Sequence, residues 1–152
     1  MNKKGYNVIR KTTTRYEFVS IGPKGQIKKR IEFTPLKKRN YYNIGFGDVL
    51  QNGQVSDTVY SNNQDIVKVL STVIEVIKDF LKQHPSAKVF LTGSTADRTN
   101  FYVRILKRYY EDFSKYFIIT ALVQDENKNY IEITFEPDKQ HECLAFFVKN
   151  KT

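Results

Sequence analysis

Residues 89–110 read VFLTGSTADRTNFYVRILKRYY, and this stretch decides the fold. A short apolar run, 89–92, ends at Gly93. Beyond it Tyr102, Ile105, Leu106, Tyr109, Phe113 and Tyr116 recur at helical spacing, while Arg104, Lys107, Arg108, Glu111 and Lys115 take the other side. The pattern predicts a buried strand, a glycine turn and a helix over about 95–116. Ser94 or Thr95 opens that helix, because a hydroxyl there can accept hydrogen bonds from the first free amides. The same amides, with Arg98 and Thr99 one turn inside, could instead hold a phosphate or carboxylate. Ser94, Thr95, Arg98 and Thr99 are therefore a candidate anion site, with simple capping as the competing reading.

Upstream, Ile66, Val69, Leu70, Val73, Ile74, Ile77, Phe80 and Leu81 form a broad apolar stripe, entered through Asn62-Asn63-Gln64-Asp65 and stopped by Pro85. This is a helix wide enough to cover a sheet. His84 at its end reads as a cap. Before it, residues 15–21 and 27–33 alternate as two strands about Gly22-Pro23-Lys24-Gly25, a sequence suited to a type I turn. On the second strand Ile27, Lys29, Ile31 and Phe33 share one face, expected to pack inward; Lys28, Arg30 and Glu32 share the other. Residues 42–49 make a third strand, and 56–61 an extension or a loop. After the second helix, 117–123, 130–135 and 143–148 read as three closing strands, the first two joined by a polar turn over 125–129.

The expected fold class is therefore α+β: a mixed, mainly antiparallel sheet of about six strands with two helices packed on it, in the order βββαβαβββ. That order is like the ribonuclease H-like topology. With no repeat and no low-complexity linker, residues 1–152 read as one domain, with 1–13 a flexible or edge-strand N-terminus.

Composition narrows the function. The net charge is +9, and residues 1–39 hold twelve Lys or Arg against Glu17 and Glu32, a net of +10. The other residues hold thirteen basic and fourteen acidic side chains, a net of −1. Such a block attracts nucleic acid, a membrane surface or an acidic protein, or it is a solvated sheet edge kept from aggregating by its lysines. No run is long and apolar enough to span a bilayer, the basic start has no apolar core after it, and there is one cysteine, Cys143. A cytoplasmic protein without membrane contact is the expectation.

The strings YEFVSIGPKGQIKKRIEF, YNIGFGDV, SNNQDIVKVLSTV and GSTADRTNFY together resemble a family of small bacterial proteins, the domain of unknown function 6934. The resemblance runs from about Tyr16 to Lys149. Its strand-to-helix turn corresponds to Gly93-Ser94-Thr95, Arg98-Thr99 and Tyr102. The family implies the fold and no activity.

Catalytic patterns are weak. A ribonuclease H-like two-metal nuclease needs carboxylates on the first strand, in the first helix and near the end of the fourth strand. Glu17 and Glu75 meet the first two needs, but 91–94 read Leu-Thr-Gly-Ser, with no acid until Asp97. His141 and Cys143 point the same way on a strand but lack further ligands for zinc. Ser94 lacks the GxSxG elbow, and the turn lacks the lysine and glycine spacing of a phosphate-binding loop. No catalytic residue, metal or cofactor is assigned. The expected function is binding of nucleic acid or another polyanion by a basic N-terminal hairpin. Lys28, Arg30, Lys37, Lys38 and Arg39 would neutralise phosphates beside the stacking groups Tyr41 and Tyr42, with Arg104 and Arg108 on the second helix. A homodimer or protein–protein module, such as one half of a defence or toxin–antitoxin pair, is the alternative, and the metal-dependent nuclease is third.

Overall fold

Strict alternation lays down a long hairpin, β2 (Arg15–Gly22) and β3 (Gly25–Pro35), closed at the pair Gly22↔Gly25. Gly25 has φ +87°, a conformation that glycine adopts without strain and other residues resist. The structure, a computed structural model, describes residues 5–56, 63–92 and 96–151, apart from the side chains of residues 56 and 96–98. Within them it has nine strands and three helices. The chain divides into two compact units: Met1–Pro35 with Asn43–Pro85, and Leu36–Tyr42 with Ser86–Thr152.

In the first unit, β1 (Ile9–Arg10) flanks β2, so the N-terminal region supplies an edge strand. Next to β3 runs β4 (Tyr41–Val49), and β5 (Val55–Ser56) pairs with β4. One sheet face presents Tyr16, Phe18, Ile31, Phe33 and Ile44, all buried. Helix α1 (Ile66–Gln83) supplies the complementary stripe, with Phe80 stacked on Phe33 at 3.9 Å between ring centroids. Each such buried side chain contributes about 1.5–3 kcal/mol. The helix ends as expected: His84 caps it, donating its backbone N–H to Phe80 O and laying its ring on Phe80.

Lys29 stands on that inward face, where alternation put it. It is 5% exposed and ion-paired with Asp48, itself 6% exposed, and its ammonium lies 5.8 Å from the Phe46 ring centre. Removing one partner strands a buried charge. Lys29→Ala is expected to cost about 3–5 kcal/mol, whereas Lys29→Met with Asp48→Leu should come close to wild type, measured by urea unfolding.

In the second unit, β6 (Lys88–Leu91), β9 (Ala145–Asn150), β7 (Phe117–Gln124) and β8 (Tyr130–Thr134) form an antiparallel run in that order. Val89, Phe146, Val148, Ile119, Ala121 and Val123 are buried on one face. The predicted second helix is two, α2 (Ala96–Arg108) and α3 (Tyr110–Ser114). Tyr109 leaves helical geometry between them, at φ −112° and ψ 25°. The break brings Tyr110 against Phe135, 5.9 Å between ring centres, and buries Phe113. Side-chain packing thus overrides the continuous periodicity. The segment Leu36–Tyr42 lies along β6, where Lys88 N–H donates to Asn40 O at 2.8 Å.

The α+β class stands, and the expected element order recurs with β1, β5 and α3 added. The ribonuclease H-like topology is not supported. Its carboxylate strand, β2, has β1 on one side and β3 on the other, so no strand bearing further site carboxylates lies beside it. Neither unit is one continuous piece of chain. Residues 86–152 expressed alone lack 36–42, and are expected to show no cooperative thermal transition until those residues are supplied; a sharp transition in the fragment would mean that the unit folds without them.

Candidate nucleic-acid interface

Strand alternation in the second unit places two mirror-image patterns side by side. Lys88 and Phe90 share a face of β6, and Phe147 and Lys149 share a face of β9. The register pairs Phe90 with Phe147 and Lys88 with Lys149. This is the face opposite the buried Val89, Phe146 and Val148. The rings of Phe90 and Phe147 lie 5.3 Å apart, and Tyr41 meets Phe147 edge-on at 6.0 Å. Two ammonium groups are interleaved with them. Lys38 sits 4.6 Å from the Tyr41 ring centre, and Lys88 sits 5.5 Å from Tyr41 and 4.7 Å from Phe147. Tyr41 and Phe90 are half-buried, and Phe147 is 9% exposed, so Phe147 supports the other two.

Lys88 is held in place by Glu132, with Nζ 2.6 and 2.7 Å from its carboxylate oxygens. Thr120 donates its hydroxyl hydrogen to the same carboxylate. Burial pushes the Glu132 carboxyl upward, but the bonds from Lys88 and Thr120 outweigh it and hold it below its ordinary range. Lys37, Lys38 and Arg39 beside this cluster are exposed and make no ion pair among the described residues.

The hairpin cations are placed differently. Glu17 is 4% exposed and gathers three of them: Arg30 Nε at 2.8 Å, Lys28 Nζ at 3.3 Å and Lys11 Nζ at 4.0 Å. Arg10 pairs with Asp79, Arg15 with Glu32, and Lys29 with Asp48. Among the described residues, six of the early cations (Arg10, Lys11, Arg15, Lys28, Lys29 and Arg30) are thus ion-paired within the first unit, whereas Lys24 at the hairpin turn and Lys37, Lys38 and Arg39 in the second unit make no ion pair. Arg104 and Arg108 are exposed on α2, each over a local ring, Phe101 and Tyr109 respectively. Their ring partners are sequence neighbours, not members of the Tyr41 cluster.

Of the candidate anion site, Ser94, Thr95 and the Arg98 side chain lie outside the described residues, and Thr99 is buried at 7% exposure. The nuclease carboxylates are not brought together. Glu17 is enclosed by cations and Glu75 is an exposed partner of Lys78. Among the described residues no three His, Cys, Asp or Glu side chains form a metal-binding group. Cys143 is buried, which pushes its thiol pKa up, and lies against His141 O.

Glu17 gives a pH test. Burial raises its pKa, but the Arg30 and Lys28 bonds prevail and leave it lowered. A carboxyl lowered in the folded state adds stability that is present above its unfolded value near 4.3 and is lost as pH falls through the folded value. Glu17→Gln should therefore be less stable than wild type at neutral pH, with the gap closing below about pH 4 in acid-unfolding curves. A constant gap across that range would contradict the pairing.

Sequence reading did not single out Lys88, Phe90, Phe147 or Glu132. The Lys-x-Phe and Phe-x-Lys patterns were visible; their alignment required the strand register. Among the described residues no helix is long and apolar enough to cross a membrane. A model of a family of unknown function matches residues 2–151. No curated protein and no solved structure matches the chain.

Proposed function

The chain belongs to the family of unknown function DUF6934, so geometry has to carry the functional reading, and we propose that this protein is a binding domain for single-stranded nucleic acid. The supporting observation is the interleaved stack Lys38, Tyr41, Lys88 and Phe147 beside Lys37 and Arg39, which are exposed and make no ion pair among the described residues. Aromatic faces bind any base by stacking, and exposed cations follow the phosphates; single strands offer both at once. The site is thereby moved from the hairpin to the loop 36–42 and its strands. Lys28 and Arg30 already bond to Glu17, which removes part of the positive charge that a run of phosphates would follow.

Fluorescence anisotropy with labelled oligo(dT) and oligo(U), against a duplex of the same length, tests this over a salt series. Single strands should bind more tightly than duplex, and Tyr41→Ala should cost about 1–3 kcal/mol, the worth of one stacked base. Absence of saturable binding at low salt would end the proposal.

A homodimer is the second reading. It is favoured by β8, the last strand in its run, on which Tyr130 is 66% and Ile131 40% exposed. Light scattering reads it directly, a mass of one chain counting against it.

A further inference from the structure

The first unit carries a separate cleft of about 330 Å³ on the β1 side of β2, lined by Tyr6, Ile9, Lys11, Glu17, Val19 and Lys28 among others. Backbone parity explains why it is there. Even-numbered residues of β2 bond to β3, since Gly22 and Gly25 close the hairpin and Phe33 N–H donates to Thr14 O. Odd-numbered residues therefore turn their N–H and C=O toward β1. On that side Arg15 O accepts from Lys11 and Thr12, Glu17 lies opposite Ile9, and Ile21 N–H donates to the Tyr6 hydroxyl oxygen at 3.0 Å. Val19 has no such partner among the described residues. Its N–H and C=O face the cleft where β1 stops short.

The walls combine two chemistries. Ile9, Val19 and Ile21 are 62%, 40% and 59% exposed, a row of large apolar side chains on an outer strand face. Beside them the Lys11 and Lys28 side chains are 47% and 53% exposed. Glu17 does not cancel this charge. It is one carboxylate among Lys11, Lys28 and Arg30, and it sits at 4% exposure beneath them, so the cluster keeps two positive charges.

We infer that this cleft binds a small monocarboxylic acid with an apolar body. The carboxylate accepts hydrogen bonds from Lys11, Lys28 and the Val19 N–H, and the body covers Ile9, Val19 and Ile21. The volume sits at the small end of the range for organic ligands, which suits a molecule of this size. Charge-assisted bonds supply orientation, and the apolar wall supplies affinity.

Phenylacetate and hexanoate are the probes, with benzyl alcohol as the neutral control, followed by amide and methyl NMR on the full chain. Both acids should produce saturable shifts at Val19, Ile9 and Ile21, with the alcohol at least about tenfold weaker, as loss of a charged hydrogen bond implies. Lys11→Ala with Lys28→Ala should weaken the acids about tenfold or more and leave the alcohol unchanged. Both lysines are exposed, and unaltered spectra away from the cleft establish that the variant folds. Ile21→Ser provides an independent check by weakening acids and alcohol together. The inference is overturned by any of three results: no saturable shift up to about 10 mM, equal affinity for acid and alcohol, or acid binding indifferent to the lysine pair.

Discussion

Replacing Lys37, Lys38 and Arg39 together by alanine is expected to lower the slope of log K against log salt by about 2, from about 0.7 released counterions per neutralised phosphate on a single strand. Extrapolated from 1 M to 0.1 M salt, a slope change of that size is about a hundredfold in affinity for oligo(dT). Lys28→Ala should leave the slope where it is, because that lysine is a partner of Glu17 and belongs to the first unit. The two variants together separate a loop-centred site from general attraction to a basic protein. If Lys28→Ala and the triple variant lose slope in proportion to the charge removed, binding is diffuse and the Tyr41 cluster has no special part in it. The three loop residues are exposed, so the fold should be unaffected.

Gly22→Ala is expected to destabilise the protein by roughly 3 kcal/mol or more, at the upper end for overpacking. A Cβ at Gly22 would lie 2.0 Å from Asn63 O and 2.9 Å from its Cγ and Oδ1. Asn63 cannot retreat easily. It is 1% exposed, its Oδ1 accepts from Lys24 N–H at 2.7 Å, and its Nδ2 donates to Ser20 Oγ at 3.1 Å and Gly25 O at 3.0 Å. One side chain thus clasps both arms of the hairpin turn. Asn63→Ala should itself cost about 2–3 kcal/mol by leaving those groups without their partner. In a chain of this length that corresponds to a fall of about 6–10 °C in Tm. A calorimetric Tm within about 2 °C of wild type in both variants would show that the turn holds without the clasp.

The same region shows how far local sequence carries. Asp65 has the residue type and position of a helix cap, and it does occupy the N-cap of α1, yet it makes no capping bond. Its carboxylate accepts instead from the Tyr6 and Ser20 hydroxyls, each at 2.6 Å. Tyr6 is 59 residues away in the chain, so nothing near Asp65 announces the competitor. Asn63 was legible as helix-entry composition, while its reach across to the hairpin was not. Lys29 was assigned correctly to the inward face by alternation, but a lysine there is intelligible only once Asp48 arrives from another strand. Of the apolar face expected over 95–116, Leu106 and Phe113 are buried and Tyr116 is exposed, and the helix breaks at Tyr109, because contact of Tyr110 with Phe135 depends on where the closing strands lie.

By itself the sequence determined the α+β class, the main hairpin, the apolar stripe of α1 and the order of the principal elements, since period-2 and period-3.6 patterns are local properties of the chain. It also determined that positive charge is concentrated before residue 40. Which of those cations remain unpaired was decided only by tertiary structure. Ion pairing depends on distances between residues far apart in sequence: Glu17, Glu32 and Asp48 engage hairpin cations and Asp79 engages Arg10, while Lys37, Lys38 and Arg39 make no ion pair among the described residues. The alignment of Phe90 with Phe147 was likewise a matter of register, which a strand acquires only from its neighbour.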